Sequence, residues 1–414
     1  MGAVHPVRLR FVTPAWQGEV PSPPHDALSP EARRRHLAAN PRSYLGVTRA
    51  PEDGPMAGPD AAAEALRAGR ATLIELLADG VFGAEEGPGY FIYRLENGGH
   101  RQAGLVCTVD TAAYDDGTVR IHERINRSRA AHLASHLRIV GAQSSPIALA
   151  YRGAEVVTEL IADATTREDP FVEIDDDDGL RQSLWRLEAD DVPAIATALS
   201  DHPLYLIDGH HRAAAASADL AANGPHPIGD HRILSVLFPY EELRNLAFHR
   251  LLTGIDTTTL AAGLAERFPT RSAAGPAAVV DRADTELAVA LPGSGGGTDW
   301  LLVDIPFDDP APRALANIDP IRLATHLLGP TLDLVEGDDD PRLEYRPGEA
   351  DVDAVRDLAV RADQALFLMR PVPLTTLMEC SDAGQVMPPK STYFQPKVRS
   401  GLFVRLIDPA LTGA

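Results

Sequence analysis

Five residues, Asp208-Gly209-His210-His211-Arg212, constrain this chain more than any other stretch. They follow the apolar run Leu204-Tyr205-Leu206-Ile207 and lead straight into Ala213 to Ala216. The order is buried strand, glycine turn, helix. A helix that starts this abruptly leaves its first backbone N–H groups without intrahelical partners, and the dipole adds partial positive charge there. Gly209 lets another group approach the backbone closely. His210, His211 and Arg212 add side-chain donors from the same turn, and a guanidinium can hold a phosphate bidentately. On physical grounds the turn reads as a phosphate site. The plain alternative is a helix-capping aspartate beside two surface histidines. Zinc is a poor fit, because adjacent side chains diverge on a helix.

The chain has 414 residues, a length that suggests about two or three units of roughly 150 residues. Hydrophobic residues make up 44 % and charged residues 23 %, the balance of an ordinary globular protein. No apolar run approaches the roughly 20 residues of a membrane span. The start, MGAVHPVRLRF, carries no apolar signal core. Cys107 and Cys380 cannot make a disulfide framework or a four-thiolate zinc site, so a cytoplasmic location is expected. With 38 basic against 59 acidic residues the net charge is −21, unsuited to general binding of a phosphate backbone. Neither a nucleic-acid nor a membrane partner is expected. The acidic runs Asp175–Asp178 and Asp338–Asp340 lack calcium-loop spacing and read as solvated loops.

Residues 1–58 read as proline-rich loops around one helix, opened by Ser29-Pro30-Glu31 and closed by Asn40-Pro41. Further helices are expected over 60–79, 126–140, 191–199, 212–222, 260–268, 321–328 and 352–362. Strands are expected over 89–95, 102–109, 147–151, 203–207, 232–238, 287–291, 300–305, 365–369 and 402–406. Glu96-Asn97-Gly98-Gly99-His100 joins the first two strands as a hairpin. The Pro292–Gly297 loop reads as a hairpin linker, since no helix follows it. This alternation gives an α/β class with mixed α+β character. The expected parts are an N-terminal α+β extension over 1–110, a core over 111–250 carrying the phosphate turn, and a C-terminal α+β unit over 251–414.

Lysine is nearly absent. Lys390 and Lys397 stand against 36 arginines, and both fall in one short stretch. The plain reading is chance; the sharper one is that the stretch needs an ammonium, a compact point charge that a guanidinium fork does not replace. It reads Met387-Pro388-Pro389-Lys390-Ser391-Thr392-Tyr393-Phe394-Gln395-Pro396-Lys397. From Gly384 it approaches a P-loop, but Pro389 stands where glycine belongs and has no N–H for a phosphate. A rigid polar loop of this kind suits a small anionic ligand. The alternative is a C-terminal loop clipped onto the core. In Arg120-Ile121-His122-Glu123-Arg124, Glu123 follows a strand and precedes a helix. It reads either as a general base beside the phosphate site or as a surface carboxylate paired with Arg124 or Arg127. A weaker patch, Ser22–Asp26 with Asn40–Ser43, reads as structural loop.

Taken jointly, the D-G-H-H-R turn, the upstream His122-Glu123 and the Pro389-Lys390-Ser391-Thr392 segment resemble the free L-serine kinases of the ParB/sulfiredoxin-like fold. The chain is most similar to a bacterial branch of that group ending in M-P-P-K-S-T-Y-F-x-P-K. The resemblance implies a ParB/sulfiredoxin-like nucleotide-binding core and an added C-terminal α+β unit whose 384–397 loop returns to the active cleft. It implies a kinase without a P-loop, using Mg²⁺ and moving a phosphoryl group from ATP or ADP to the hydroxyl of free L-serine or a similar hydroxy-amino acid. In it Asp208 sits at the reaction centre and is the residue that would hold Mg²⁺. Gly209, His210, His211 and Arg212 hold nucleotide phosphates, and Glu123 activates the hydroxyl. His122, Lys390, Ser391, Thr392 and Lys397 bind the acceptor. Ile121 replaces the family's proline before His122, Tyr393 differs from the compact archaeal kinases, and the first 110 residues have no counterpart in them. The rival readings are a nucleotide-binding ParB-like regulatory protein and a pseudoenzyme that kept the fold.

Overall fold

A computed structural model describes residues 2–25, 28–50, 60–200, 202–293, 295–307, 315, 317–334 and 340–412. Asp26, Ser294, Asp338 and Asp339 of the segments read above lie outside them. The chain is mixed α/β and forms two compact units. The first comprises Met1–Ile121, Ile125–Leu243 and Pro396–Ala414; the second comprises His122–Arg124 and Arg244–Gln395. No described helix is long and apolar enough to cross a membrane.

The first unit is built on a nine-stranded sheet. Its path runs Val119–Arg120, Leu204–Asp208, Ile147–Tyr151, Arg232–Pro239, His100–Asp110, Phe91–Asn97, Arg181–Arg186 and Val172–Asp175, with Val4–His5 paired to His100–Asp110. Ile147–Tyr151 is buried at every position. It lies between a parallel neighbour, Arg232–Pro239, and an antiparallel one, Leu204–Asp208. The Phe91–Asn97 and His100–Asp110 strands form the expected hairpin. Gly98 and Gly99 turn it with φ of 56° and 80°, the signs that a tight two-residue hairpin demands. A second, four-stranded sheet joins Glu86–Gly89, Val7–Phe11, Phe403–Leu406 and Ala142–Gln143. The Arg127–Val140 helix, capped by the Asn126 side chain, packs on the His210–Asn223 helix.

The second unit holds a seven-stranded antiparallel sheet in the order Thr270–Ser272, Thr298–Asp304, Glu286–Pro292, Gln364–Leu368, Arg244–Thr253 and Leu343–Gly348. Tyr393–Gln395 pairs with the first residues of Arg244–Thr253. Alternate residues serve opposite faces. Leu252, Val289, Val303 and Phe367 enter one core, and Leu251, Ala288, Ala290, Leu302, Leu366 and Leu368 enter the other.

Two expectations change and a third gains a detail. The chain does not divide into 1–110, 111–250 and 251–414: strands from the first two spans share one sheet, because His100–Asp110 bonds directly to Arg232–Pro239. The expected 352–362 helix stops at Asp357. Asp175–Asp178 is the exposed run expected, with Asp175, Asp177 and Asp178 open to solvent, but it also carries ion pairs. Asp175 ends a strand, and Asp176 and Asp178 pair with the buried Arg399, whose charge requires them.

One buried knot anchors the second unit. The Asp319 carboxylate faces Arg282 at 3.4 Å, Arg322 at 3.5 Å and Arg370 at 3.2 Å. The three guanidiniums also donate to carbonyls of residues 279–286, stitching that loop to the sheet. Burial lowers Arg282 to about 10 despite that carboxylate. Asp319→Ala leaves buried cations uncompensated and is expected to cost about 3–5 kcal/mol, read as a lower denaturation midpoint. An unchanged midpoint would mean that the carbonyls alone satisfy the cluster.

Candidate functional site

The phosphate turn forms as its sequence demands. The Leu204–Asp208 strand pairs with Ile147–Tyr151, and its register shifts between Leu206 and Asp208. Such an irregularity re-aims the side chain that follows it. Gly209 then takes φ 94°, in the left-handed region. A Cβ there would sit 2.8 Å from Ile147 and 3.0 Å from the Arg212 guanidinium, so only glycine fits. The His210–Asn223 helix starts at once, with His210 and Ala213 to Ala216 buried.

Two cations enclose Asp208. Lys397 donates to its Oδ1, and Arg212 donates to its Oδ2 at 2.5 Å. Burial opposes ionisation, but Lys397 and Arg212 prevail and hold the carboxyl well below the usual range. Arg212 also donates to the carbonyls of Ser145, at 2.9 Å, and Pro146. It thus fixes the turn to the entry of the neighbouring strand. His211 Nε2 accepts the Asn126 backbone N–H at 3.0 Å, tying the turn to the start of the next helix. Mg²⁺ does not fit at Asp208 in this arrangement, since each carboxylate oxygen already accepts from a cation and the two positive charges repel a third.

The other predicted residues lie in the second unit. His122–Arg124 belongs there although its chain neighbours Ile121 and Ile125 do not. The His122 carbonyl accepts the Met387 N–H at 2.7 Å, and Glu123 forms a parallel bridge with Met387. The buried His122 ring meets the Thr392 hydroxyl at 3.1 Å. Ser391 donates to the Pro388 carbonyl at 2.7 Å. Tyr393 donates its N–H to Asn245 at 2.8 Å and packs edge-on against Phe248, 5.0 Å between centroids. Segments far apart in sequence thereby make one structure: His122, Glu123, Ser391 and Thr392 come together here, and Glu123 is half-buried.

The two lysines part company. Lys397, in the first unit, is partly buried against Asp208. Lys390 is exposed, with its ammonium 5.3 Å from the centre of the Phe248 ring. Its φ is 56°, one of two positive values among the described non-glycine residues. Sequence reasoning missed Arg250, wholly buried beneath this loop, because the polar residues of Arg244–Thr253 hide its strand pattern. The Ser22–Ser43 patch is structural: Ser22 bridges Ser400, and Ser43 caps a short helical turn.

The chain belongs to the family described as protein of unknown function (DUF1015), whose model matches residues 5–303. Among solved structures it is similar to SbnI with C-terminal truncation from Staphylococcus aureus, at 11 % identity and TM-score 0.39, covering 73 % of this chain and 87 % of that one. It is also similar to a free serine kinase in complex with AMP, at 14 % identity and TM-score 0.35, covering 72 % of this chain and 92 % of that one. A conserved hypothetical protein from Pyrococcus furiosus follows at 15 % identity and TM-score 0.33, covering 72 % and 95 %. No curated protein matches the chain.

A carboxyl whose folded value lies below its unfolded one stabilises the fold at neutral pH and loses that contribution as acid protonates it. Asp208→Asn is therefore expected to lower the melting temperature at pH 7. The gap to wild type should narrow as pH falls below about 4, the ordinary aspartate value. Melting curves across that range decide it; a gap constant with pH would deny Asp208 its ion pairs.

Proposed function

We propose that this protein is a small-molecule kinase with a ParB/sulfiredoxin-like nucleotide-binding core. It moves a phosphoryl group from ATP or ADP to the hydroxyl of free L-serine or a similar hydroxy-amino acid. The observation that carries this reading is the strand–glycine–helix turn at Leu204–Asn223, with an ionised Asp208 held between Lys397 and Arg212. The grouping of His122 and Glu123 with Ser391 and Thr392 supports an acceptor role for the second set.

Phosphoryl transfer asks a protein for placement and charge stabilisation more than for covalent chemistry. The N–H groups at the start of the His210–Asn223 helix, with His210 and the cations Lys397 and Arg212, meet the negative phosphates. A carboxyl held as low as Asp208 accepts a proton poorly near neutrality, so Glu123 takes the proton of the acceptor hydroxyl. As that oxygen bonds to phosphorus, the bond to the nucleotide's bridging oxygen breaks and the nucleotide leaves with one phosphate fewer. Lys390 pairs with the carboxylate of the acceptor, and the loop hydroxyls orient it.

The direct test incubates purified protein with ATP or ADP and a panel of hydroxy-amino acids, read by phosphorus NMR. A new phosphomonoester signal that depends on one acceptor is expected. Nucleotide binding without consumption against any of them would leave the regulatory reading. Within that assay Glu123→Gln keeps shape and removes basicity, so turnover should fall by roughly 10²–10⁴ with nucleotide affinity unchanged. Near wild-type turnover would move the base elsewhere. Lys390→Gly tests the loop in the opposite sense. Glycine relieves a left-handed backbone conformation that costs other residues roughly 1 kcal/mol, so the fold should be no less stable while the acceptor KM rises. An unchanged KM would detach Lys390 from the acceptor.

A further inference from the structure

We propose that Arg250 is the positioning residue of the acceptor loop, fixing the backbone of Pro389 and Lys390 so that the Lys390 ammonium is held out toward an anionic group. Its functional side rests on the reading of Lys390 as partner of the acceptor carboxylate. Its structural side stands on the second unit alone.

Arg250 lies within the Arg244–Thr253 strand and is fully buried. Its Nη1 donates to the Phe248 carbonyl at 2.6 Å and the Lys390 carbonyl at 2.9 Å, and its Nη2 to the Pro389 carbonyl at 3.2 Å. The guanidinium lies 4.9 Å from the centre of the Tyr345 ring, a cross-strand neighbour in register. A buried guanidinium is often replaceable by an apolar side chain without loss of stability. Stability is therefore a weak reason for an arginine here, and the bonds it makes point to another. Two of the three end on consecutive carbonyls of the one loop that carries Lys390.

That loop needs an outside anchor. Pro388 and Pro389 have no N–H groups, so its backbone can supply few bonds of its own. Lys390 meanwhile holds a left-handed backbone that a lysine does not choose unaided. Two residues on one face of the strand grip it at both ends. Phe248 lies under its ammonium and Arg250 under its carbonyl. A rigid planar fork sets separate nitrogens on two successive carbonyls, a fixed geometry that the single nitrogen of an ammonium does not impose.

The scarcity of lysine makes the test direct. Protein labelled with ¹³C at the lysine ε-carbons gives two signals, and Lys390→Arg deletes one and assigns both. The Lys390 ε-protons should be shielded by the Phe248 ring in wild type. In Arg250→Met that shielding should be lost, with the Lys397 signal unmoved. A folded Arg250→Met with an unchanged Lys390 signal would overturn the proposal. Should Arg250→Met fail to fold, Arg250→Lys keeps the buried charge without the fork; it adds a third signal, assigned by its absence from wild type, and the Lys390 signal again decides. In turnover, Arg250→Met should raise the acceptor KM by roughly 10–100-fold, with kcat and the nucleotide KM little changed. A displaced Lys390 signal with an unchanged acceptor KM would keep Arg250 as the anchor of the loop and remove Lys390 from the proposed function. The two failures are thus distinguishable.

Discussion

The first unit depends on one carboxylate. Asp208 must be ionised to hold both Arg212, on the next helical turn, and Lys397, 189 residues further along the chain. The first pair fixes the start of the His210–Asn223 helix. The second recruits the end of the chain, which the sheet then secures. Phe403–Leu406 pairs with Val7–Phe11 on one side and Ala142–Gln143 on the other. Arg399 meets Asp176 and Asp178, and Arg405 meets Asp230. In the first unit the buried Arg399 and Arg405 each have acids within reach. The cost of desolvating each is offset by placing a specific carboxylate beside it.

Around its candidate residues the second unit uses hydrogen bonds where the first uses charge. Its candidate residues sit on a proline-rich loop whose carbonyls outnumber its N–H groups. Arg250 supplies donors to the Pro389 and Lys390 carbonyls, while the N–H groups of Met387 and Tyr393 donate outward, to the carbonyl of the inserted His122 and to the Asn245 side chain. A loop with so little backbone freedom and so many outside anchors loses little entropy when a ligand arrives. Its shape is set before binding, and this suits a group that must discriminate among small acceptors.

What the sequence made legible was local. The Gly98-Gly99 hairpin, the Asn126 cap, the Ser29-Pro30 helix start and the Leu204–Asn223 turn each carry their instructions within a few residues. What it concealed was long-range. Val7–Phe11 becomes a strand because Phe403–Leu406 and Glu86–Gly89 flank it. Arg244–Thr253 contains Arg244, Asn245, His249 and Arg250, which interrupt the apolar alternation of a strand. Each of these polar side chains is occupied: Arg244 pairs with Glu349, Asn245 donates to Val372, and His249 and Arg250 bond to backbone. The motifs at 122–123, 204–212 and 387–397 were visible as segments. That His122 and Glu123 pack with Met387 and Thr392, apart from their chain neighbours, was not, since no local pattern encodes a three-residue insertion.

The rarity of lysine pointed at both survivors with one reason, and the structure separates that reason into two. At position 397 the cation shares a carboxylate with Arg212, which already donates to Oδ2. A second guanidinium would bring a planar fork to the remaining oxygen and crowd the first; a single ammonium takes Oδ1 and stops there. At position 390 the constraint is reach. The ammonium rises past the Phe248 ring from a backbone fixed beneath it, and its flexible stem leaves the charge compact and exposed. Arginine in that place would stack its plane on the ring and hold the charge against the protein. One lysine is kept for the small space it must fill, the other for the distance it keeps from the surface that carries it.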